Sequence, residues 1–194
     1  MQKFISVFSL IVLLTSLNSP QARVGGWDAE ALENANNTIE MILEKDPGLQ
    51  AFFDKAYGYA VFPSVGKGAI GIGGAHGSGT LFEQGNPVGK TTLTQFTIGF
   101  QFGGKYYSEI IFFEDEETFD LFKTSRFELA AQASAVAVTL GASANLAYSD
   151  GVAIVTIEKG GLMYEASVGG QKFEYEAVTD LGEDWNTQDN ESGY

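Results

Sequence analysis

The sequence predicts an α+β domain in which N-terminal helices pack on a curved or barrel-like, mainly antiparallel and glycine-rich β-sheet. Up to residue 55 the apolar residues recur every three or four positions, as in amphipathic helices. From Tyr59 the apolar period falls to two, which is typical of a strand with one buried side. Thirteen of the 24 glycines lie between Gly58 and Gly104, and glycine lets backbones bend sharply or approach closely. These patterns place helices first and a sheet after them.

Two helices are predicted in the N-terminal helical region, residues 23–55. Asp28 can cap the first, because its carboxylate can accept from free backbone N–H groups of the first turn. The apolar positions of that helix step by three or four: Leu32, Ala35, Ile39 and Ile42. Asp46 and Pro47 mark a second start, since proline fits the first helical position.

A hairpin is predicted in residues 92–113. The even positions of 92–102 form a nearly apolar side: Thr94, Phe96, Ile98, Phe100 and Phe102. This alternation predicts a half-buried strand with the even positions as its apolar side. Gly103 and Gly104 are predicted to break that strand, and residues 106–113 to return beside it.

A short helix and a long strand are predicted next. Asp115 can cap a helix over residues 116–126 that has acids in its first turn and bases in its last. Phe119 and Phe122 of this helix are expected to face the core. Residues 130–149 are ambiguous, because alanine favours helix while the apolar positions alternate, and we predict a long strand there.

The final strands precede a polar tail. Runs at 152–158 and 162–168 flank a turn of one lysine and two glycines, which predicts a hairpin. Phe173 begins a last short strand. Residues 179–194 are acidic and poor in aliphatic side chains, which predicts a disordered tail. The sheet-forming domain is therefore expected to span residues 56–178.

Residues 1–22 have the pattern of a secretory signal peptide. Lys3 precedes an apolar run at 4–14, and Ala22 is a small residue suited to cleavage. We expect export to the periplasm or the secreted space, with association with a membrane as a further expectation. An uncleaved N-terminal anchor is the alternative. The chain has no cysteine, which excludes disulfides, thiol nucleophiles and thiolate metal sites.

Charge and motif spacing argue against several classes of function. The 25 acidic and 11 basic residues give a net charge of −14, which nucleic acid repels, so no nucleic-acid partner is expected. The glycines of residues 66–71 match a dinucleotide-binding motif, but no helix is predicted after them, as that motif requires. Residues 85–91 resemble a phosphate-binding loop but have one residue too few between the two glycines. His76 is the single histidine, too few for a multi-histidine metal site. We predict no catalytic residues, metal or cofactor.

From residue 56 to 176 the chain resembles the SYLF domain family, also called the actin-binding domain family of cortical patch proteins. The matching segments, in order, are YGYAVFP (57–63), VGKG (65–68), GIGGA (71–75), LTQFTIGFQ (93–101), YSEIIFF (107–113), AQASA (131–135) and KGGLMYE (159–165). Residues 28–55 resemble the N-terminal extension of the family. The seven matching segments run in the same order and with similar spacing through the whole candidate domain, so the match is specific.

The resemblance implies a protein that is not an enzyme. Eukaryotic members of the family are described as binding membrane phosphoinositides and, in some cases, actin filaments, whereas exported prokaryotic members look like lipid-binding proteins. The signal peptide favours the second group, so an actin partner is not expected. The leading hypothesis is a lipid- or membrane-binding protein of the cell envelope or secreted space, whose partner is phospholipid or a membrane surface. The alternative is an envelope structural or protein-interaction module without a lipid ligand.

Six residues are candidates for lipid contact under this hypothesis. Three aromatic residues would meet acyl chains: Phe52, Phe53 and Tyr57. Three lysines at predicted turns would meet a headgroup phosphate: Lys67, Lys90 and Lys105. Ordinary core packing and solvated turns are the alternatives. Lipid binding predicts an apolar cavity or a mobile amphipathic helix, whereas an interaction module predicts a filled core and an exposed apolar patch.

Overall fold

A computed structural model describes residues 23–24, 27–125, 127–129 and 136–178. Its elements are β1 (Arg23–Val24), β2 (Trp27–Asp28), α1 (Ala29–Lys45), a 3-10 helix (Pro47–Leu49), α2 (Gln50–Lys55), β3 (Gly58–Glu83), β4 (Asn86–Phe113), α3 (Glu116–Lys123), β5 (Glu128–Leu129), β6 (Val136–Ala137), a second 3-10 helix (Ala142–Asn145) and β7 (Val152–Ala177). Three α-helices and a mainly antiparallel sheet confirm the predicted combination of helices and sheet. The predicted signal peptide and acidic tail lie outside the described residues.

Three very long strands dominate the sheet. Its order is β3-β4-β7-β5, all pairs being antiparallel, and β6 adds a short parallel pairing to β7. Within the described residues β3 and β5 are the ends of this order, so the sheet does not close and the barrel-like form is not found. β1 and β2 pair only with each other there.

The predicted helix starts are confirmed. Asp28 caps α1 by accepting a hydrogen bond of 3.1 Å from the Glu30 N–H. Asp115 caps α3 by accepting one of 2.8 Å from the Thr118 N–H. Pro47 begins the 3-10 helix that leads into α2. Phe119 and Phe122 are fully buried as expected, and α3 ends at Lys123, before the predicted end of this helix.

The predicted hairpins are wrong. β4 continues through Gly103 and Gly104, and β7 continues through Gly160 and Gly161. The two glycine pairs lie close together in neighbouring strands, because Gly161 pairs with Lys105, the residue after Gly104, and the register shifts nearby. Gly103, Gly160 and Gly161 have positive φ, so they let the strands bend without ending. The observed turn between β3 and β4 uses Gln84 and Gly85, with φ of 48° and 81°.

The long strand predicted over 130–149 is also wrong where it can be compared. Residues 130–135 lie outside the described residues, and β6 contributes only two residues. The Asp46 carboxylate accepts a 2.6 Å hydrogen bond from the Ser143 N–H, which holds this segment against the start of the first 3-10 helix. That long-range contact overrides the local alternation.

β3 crosses over itself. A Cβ added at Gly79 would lie 2.5 Å from the Val61 carbonyl oxygen, and one at Gly77 would lie 2.9 Å from the Ser64 carbonyl oxygen. The first and last parts of the strand therefore touch, and the middle forms a bend. Two buried clusters fill the structure. The first is built around six phenylalanines: Phe62, Phe113, Phe119, Phe122, Phe127 and Phe173. The second joins residues of α1 to the sheet and includes Ala35, Ile42, Val61, Ile110 and Phe112.

Candidate functional site

The bend consists of residues 66–76 of β3 and 94–106 of β4, and it exposes large apolar side chains. We call seven of them the outer face: Ile70, Ile72, Phe96, Ile98, Phe100, Phe102 and Tyr106. Their exposed fractions run from 56% at Ile98 to 80% at Ile70. The even positions of β4 do alternate as predicted, but they are the exposed side of the strand and the odd positions are the buried side.

The inner side of the bend is polar and hydrogen-bonded. Thr97 and Gln101 are buried, and the Thr97 hydroxyl donates a 2.9 Å hydrogen bond to the Gln101 side-chain oxygen. The Gln101 side-chain nitrogen donates 3.1 Å bonds to the carbonyls of Gly71 and Thr97. Satisfied polar groups of this kind are compatible with burial.

Lack of space explains why the polar side is the inner one. A Cβ added at Gly73 would lie 2.6 Å from the Thr97 Oγ1 and 2.7 Å from both the Ala69 Cβ and the Gln101 Oε1. Distances under 3.0 Å are not found for real Cβ atoms, so the space holds no larger side chain at this position. The phenylalanines and isoleucines of the same strands stand on the opposite side, where they have room.

A buried carboxyl group lies behind the bend. Glu109 is 2% exposed, and one of its oxygens accepts a 3.2 Å hydrogen bond from the Gln171 side-chain nitrogen. Loss of hydration raises the pKa of Glu109 to about 7, although the Gln171 hydrogen bond and the Lys67 charge oppose this rise. This hydrogen bond joins residues 62 positions apart. It links the part of β7 that pairs with the bend to the part of β4 that follows the bend.

The bend lies in a part of the chain that carries no acidic residue. Residues 55–82 and 84–108 contain four lysines and no aspartate or glutamate, whereas the whole chain carries a net charge of −14. Lys67 is 8% exposed. The Lys105 Nζ lies 3.6 Å from a Glu158 carboxylate oxygen and 5.8 Å from the centre of the Tyr107 ring.

The predicted aromatic site residues lie around α2. Phe52 packs against Phe112 and Tyr148, with ring centres 5.7 and 5.8 Å apart. Phe53 meets the Phe112 ring edge-on at 4.9 Å. The Tyr57 hydroxyl donates a 3.0 Å hydrogen bond to a Glu83 carboxylate oxygen, and the loss of this bond on ionisation raises the pKa of Tyr57 to about 12.

One pocket brings two of these aromatic residues together. It has a volume of about 430 Å³ and is lined by Phe53, Asp54, Lys55, Ala56, Tyr57, Gln84 and Glu114. Its walls are more polar than apolar, which does not suit an acyl chain. Phe52 is absent from the lining residues. The predicted roles of these aromatic residues in lipid contact stay predictions.

The predicted lysines lie within strands and not at turns. Lys67 and Lys105 are register partners across β3 and β4, whereas Lys90 pairs with Thr80 farther along the same ladder. The predicted turns are not found because β3 and β4 continue through the glycines beside these lysines. Their predicted contact with a headgroup phosphate is a separate matter and stays a prediction.

The outer face is the feature that sequence reasoning did not assign to a site. The alternation identified only its β4 residues between 96 and 102, and it assigned them to the apolar side of a half-buried strand. A usable signal was present, because these apolar residues lie in stretches 55–82 and 84–108, which contain no acidic residue. The described residues contain no cluster of three or more acidic or histidine side chains suited to a metal ion. No helix among them is long and apolar enough to cross a membrane.

Comparison with known proteins identifies the family. Residues 94–178 match the family described as Ysc84, Las17-binding protein actin regulator. The chain is also 33% identical over 142 residues to the protein named Beta cell expansion factor A from Aeromonas veronii. That alignment covers 72% of this chain and 53% of the relative, so the chain spans about half the length of the curated relative it matches. The match confirms the resemblance inferred from the sequence segments.

Proposed function

Because the chain carries a domain of the SYLF family, we propose that it is a non-enzymatic protein that binds lipid or membranes in the cell envelope or the secreted space. The family is known for lipid binding and is generally non-enzymatic. The observation that carries the proposal is the outer face, where seven large apolar side chains are exposed together. Large contiguous apolar surface on a folded domain marks a site of interaction with a partner or a membrane.

The form of the site favours a surface over a cavity. The pocket beside α2 is mainly polar, while the apolar side chains of the bend point outward. The proposed ligand is therefore a membrane surface, and not a single lipid enclosed in the protein. Export is supported by the leader pattern in residues 1–22. N-terminal sequencing of the protein recovered outside the cytoplasm tests this part of the proposal.

Vesicle flotation tests the proposed function. The full chain is mixed with vesicles of phosphatidylcholine and phosphatidylglycerol, and the floating fraction is measured. Replacing Phe100 and Phe102 by serine is expected to lower the bound fraction strongly, because each loses large apolar area. Leu140→Ser is the matched control, since Leu140 is 85% exposed and lies outside the bend. Absence of wild-type flotation, or equal loss in the control, would contradict the proposal.

The outer face also supports a second function. An exposed apolar patch is the feature expected of the protein-interaction module, and the outer face is such a patch. Sedimentation velocity without lipid separates the two proposals for the simplest partner, a second copy of the chain. A concentration-dependent dimer that disappears in the Phe100→Ser/Phe102→Ser variant would favour the interaction module. A monomer at all concentrations would leave the membrane as the better-supported partner.

A further inference from the structure

We infer that the outer face enters the apolar edge of a bilayer with zwitterionic headgroups, and that attraction to anionic lipid does not drive the contact. This inference rests on the proposed function and goes further by naming the inserting surface and the lipid class. The bend would dip its side chains below the headgroups without crossing the bilayer, as interfacial segments do.

The bend is a better candidate for the membrane-inserting surface than the N-terminal helix α1. Ala35 and Ile42 of α1 are fully buried and belong to the same cluster as Val61 of the sheet. The apolar side of α1 would have to leave the core before it could meet a membrane. The outer face needs no such rearrangement, because its side chains are already exposed.

The outer face is free of ionised carboxylates and lysines. Between 68 and 76 the even positions of β3 are Gly68, Ile70, Ile72, Gly74 and His76, and between 94 and 106 those of β4 are Thr94, Phe96, Ile98, Phe100, Phe102, Gly104 and Tyr106. A charged side chain in the middle of this surface would oppose insertion. None of these positions of β3 and β4 is a carboxylate or a lysine, and the register with β7 places Lys172 beside Thr94 at the edge, so the middle of this surface is suited to hydrocarbon.

The lysines of the bend do not form a cationic rim around this surface. Lys67 belongs to the inner side and is almost fully buried. Lys105 also lies on the inner side of β4, where it approaches Glu158. The chain as a whole carries a net charge of −14, which an anionic surface repels. The charges therefore suit a zwitterionic surface better than an anionic one.

The backbone N–H and C=O groups of the bend are mostly hydrogen-bonded within the sheet, which suits a medium without water. β4 pairs with β7 throughout residues 89–113 and with β3 over most of that length. On the inner side, the Thr97 hydroxyl donates a hydrogen bond to the Gln101 side chain. Insertion of the outer face would thus leave few backbone groups of β4 without a hydrogen-bond partner, which is the main obstacle to placing a strand in lipid.

The test uses the full chain and two vesicle compositions. Phosphatidylcholine vesicles are compared with vesicles that contain phosphatidylglycerol, each at about 0.05 and 0.5 M NaCl, because the higher salt screens surface charge. We expect equal flotation with phosphatidylcholine at both salts. The Phe100→Ser/Phe102→Ser variant should partition at least about ten-fold more weakly, since each phenylalanine loses a large buried apolar area.

A second variant locates the surface without removing it. Phe100→Trp should show a blue-shifted emission and quenching by brominated phosphatidylcholine, and Leu140→Trp should show neither. Flotation only with phosphatidylglycerol and its loss at high salt would overturn the inference while the proposed function stands. Unchanged flotation of the serine variant, or an unquenched Phe100→Trp, would also overturn it. Failure of the wild type to bind any vesicle would overturn both.

Discussion

The two ends of β4 place similar side chains in opposite surroundings. At residues 110–113, two isoleucines and two phenylalanines are fully buried on both sides of the strand. At residues 96–102, phenylalanine and isoleucine are exposed, while Thr97 and Gln101 are buried. Both segments pair with β7. The difference shows that burial depends on what covers each side of a sheet and not on the pattern of the strand alone.

The surroundings of the two ends explain the difference. Phe113 lies within a cluster of rings from α3 and its neighbours, and Phe112 lies against rings of α2. At the bend only the inner side is enclosed, and it is too narrow at Gly73 for a large side chain. One strand therefore serves as a core element at one end and as an apolar surface at the other.

The largest expected effect compares one phenylalanine from each end. Phe113→Ala should lower the free energy of unfolding by about 3–5 kcal/mol, because it leaves a cavity among packed rings. Phe100→Ala should change it by less than about 0.5 kcal/mol, because Phe100 is 76% exposed. Urea denaturation of both variants measures the difference. Similar losses would show that the outer face is covered in the folded protein.

The next effect concerns the carboxyl group behind the bend. Because the pKa of Glu109 is raised from 4.5 to about 7, the folded protein keeps a proton that the unfolded chain loses between these values. The free energy of unfolding should therefore fall by about 3 kcal/mol between pH 4 and pH 8 on account of this group. Glu109→Gln should remove that part of the pH dependence. Parallel pH profiles of wild type and variant, measured by urea denaturation, would contradict the prediction.

Two glycines of β3 provide a smaller contrast. Gly79→Ala should destabilise the fold by about 1–3 kcal/mol, because the new Cβ would meet the Val61 carbonyl oxygen at the crossing. Gly68→Ala at the bend should be neutral within about 0.5 kcal/mol, since no atom lies within 4 Å of its added Cβ. Thermal unfolding of the two variants tests the self-crossing of β3. Equal melting temperatures would argue against the crossing.

The smallest effect compares the two sides of the bend. Thr97→Val should cost about 1 kcal/mol, because it removes the hydroxyl that donates to the Gln101 side chain. Thr94→Val on the exposed side should change the free energy of unfolding by less than about 0.5 kcal/mol. Chemical denaturation under one set of conditions gives both values. A larger loss at Thr94 would reverse the assignment of inner and outer sides.

The helix starts could be predicted because capping is local. Asp28 and Asp115 each accept from a backbone N–H two or three residues away, so a few consecutive residues contain the whole interaction. The combination of helices and an antiparallel sheet could also be predicted, because the periodicity of apolar residues is a local property of the sequence. The long strand expected at 130–149 failed because the Asp46–Ser143 contact joins residues 97 positions apart.

The outer face could be predicted only in part. Alternation shows which residues of β4 share a side, but it contains no information on which side is enclosed. The crossing of β3 at Val61 and Gly79 decides that, and it depends on the tertiary fold. The glycine turns were misplaced for a related reason, since Gly103 and Gly161 bend the strands without ending them. The predicted phosphate-binding lysines therefore stand within strands.

The crossing of β3 also sets an order of events in folding. Gly79 can meet Val61 only after the intervening bend has formed, and β7 must pair with β4 across the long segment that includes α3. Contacts between residues so distant in sequence slow the search for the native state, so folding over milliseconds to seconds is expected. Before the crossing closes, the apolar residues at both ends of β4 are exposed together, so we expect aggregation to compete with folding at high protein concentration.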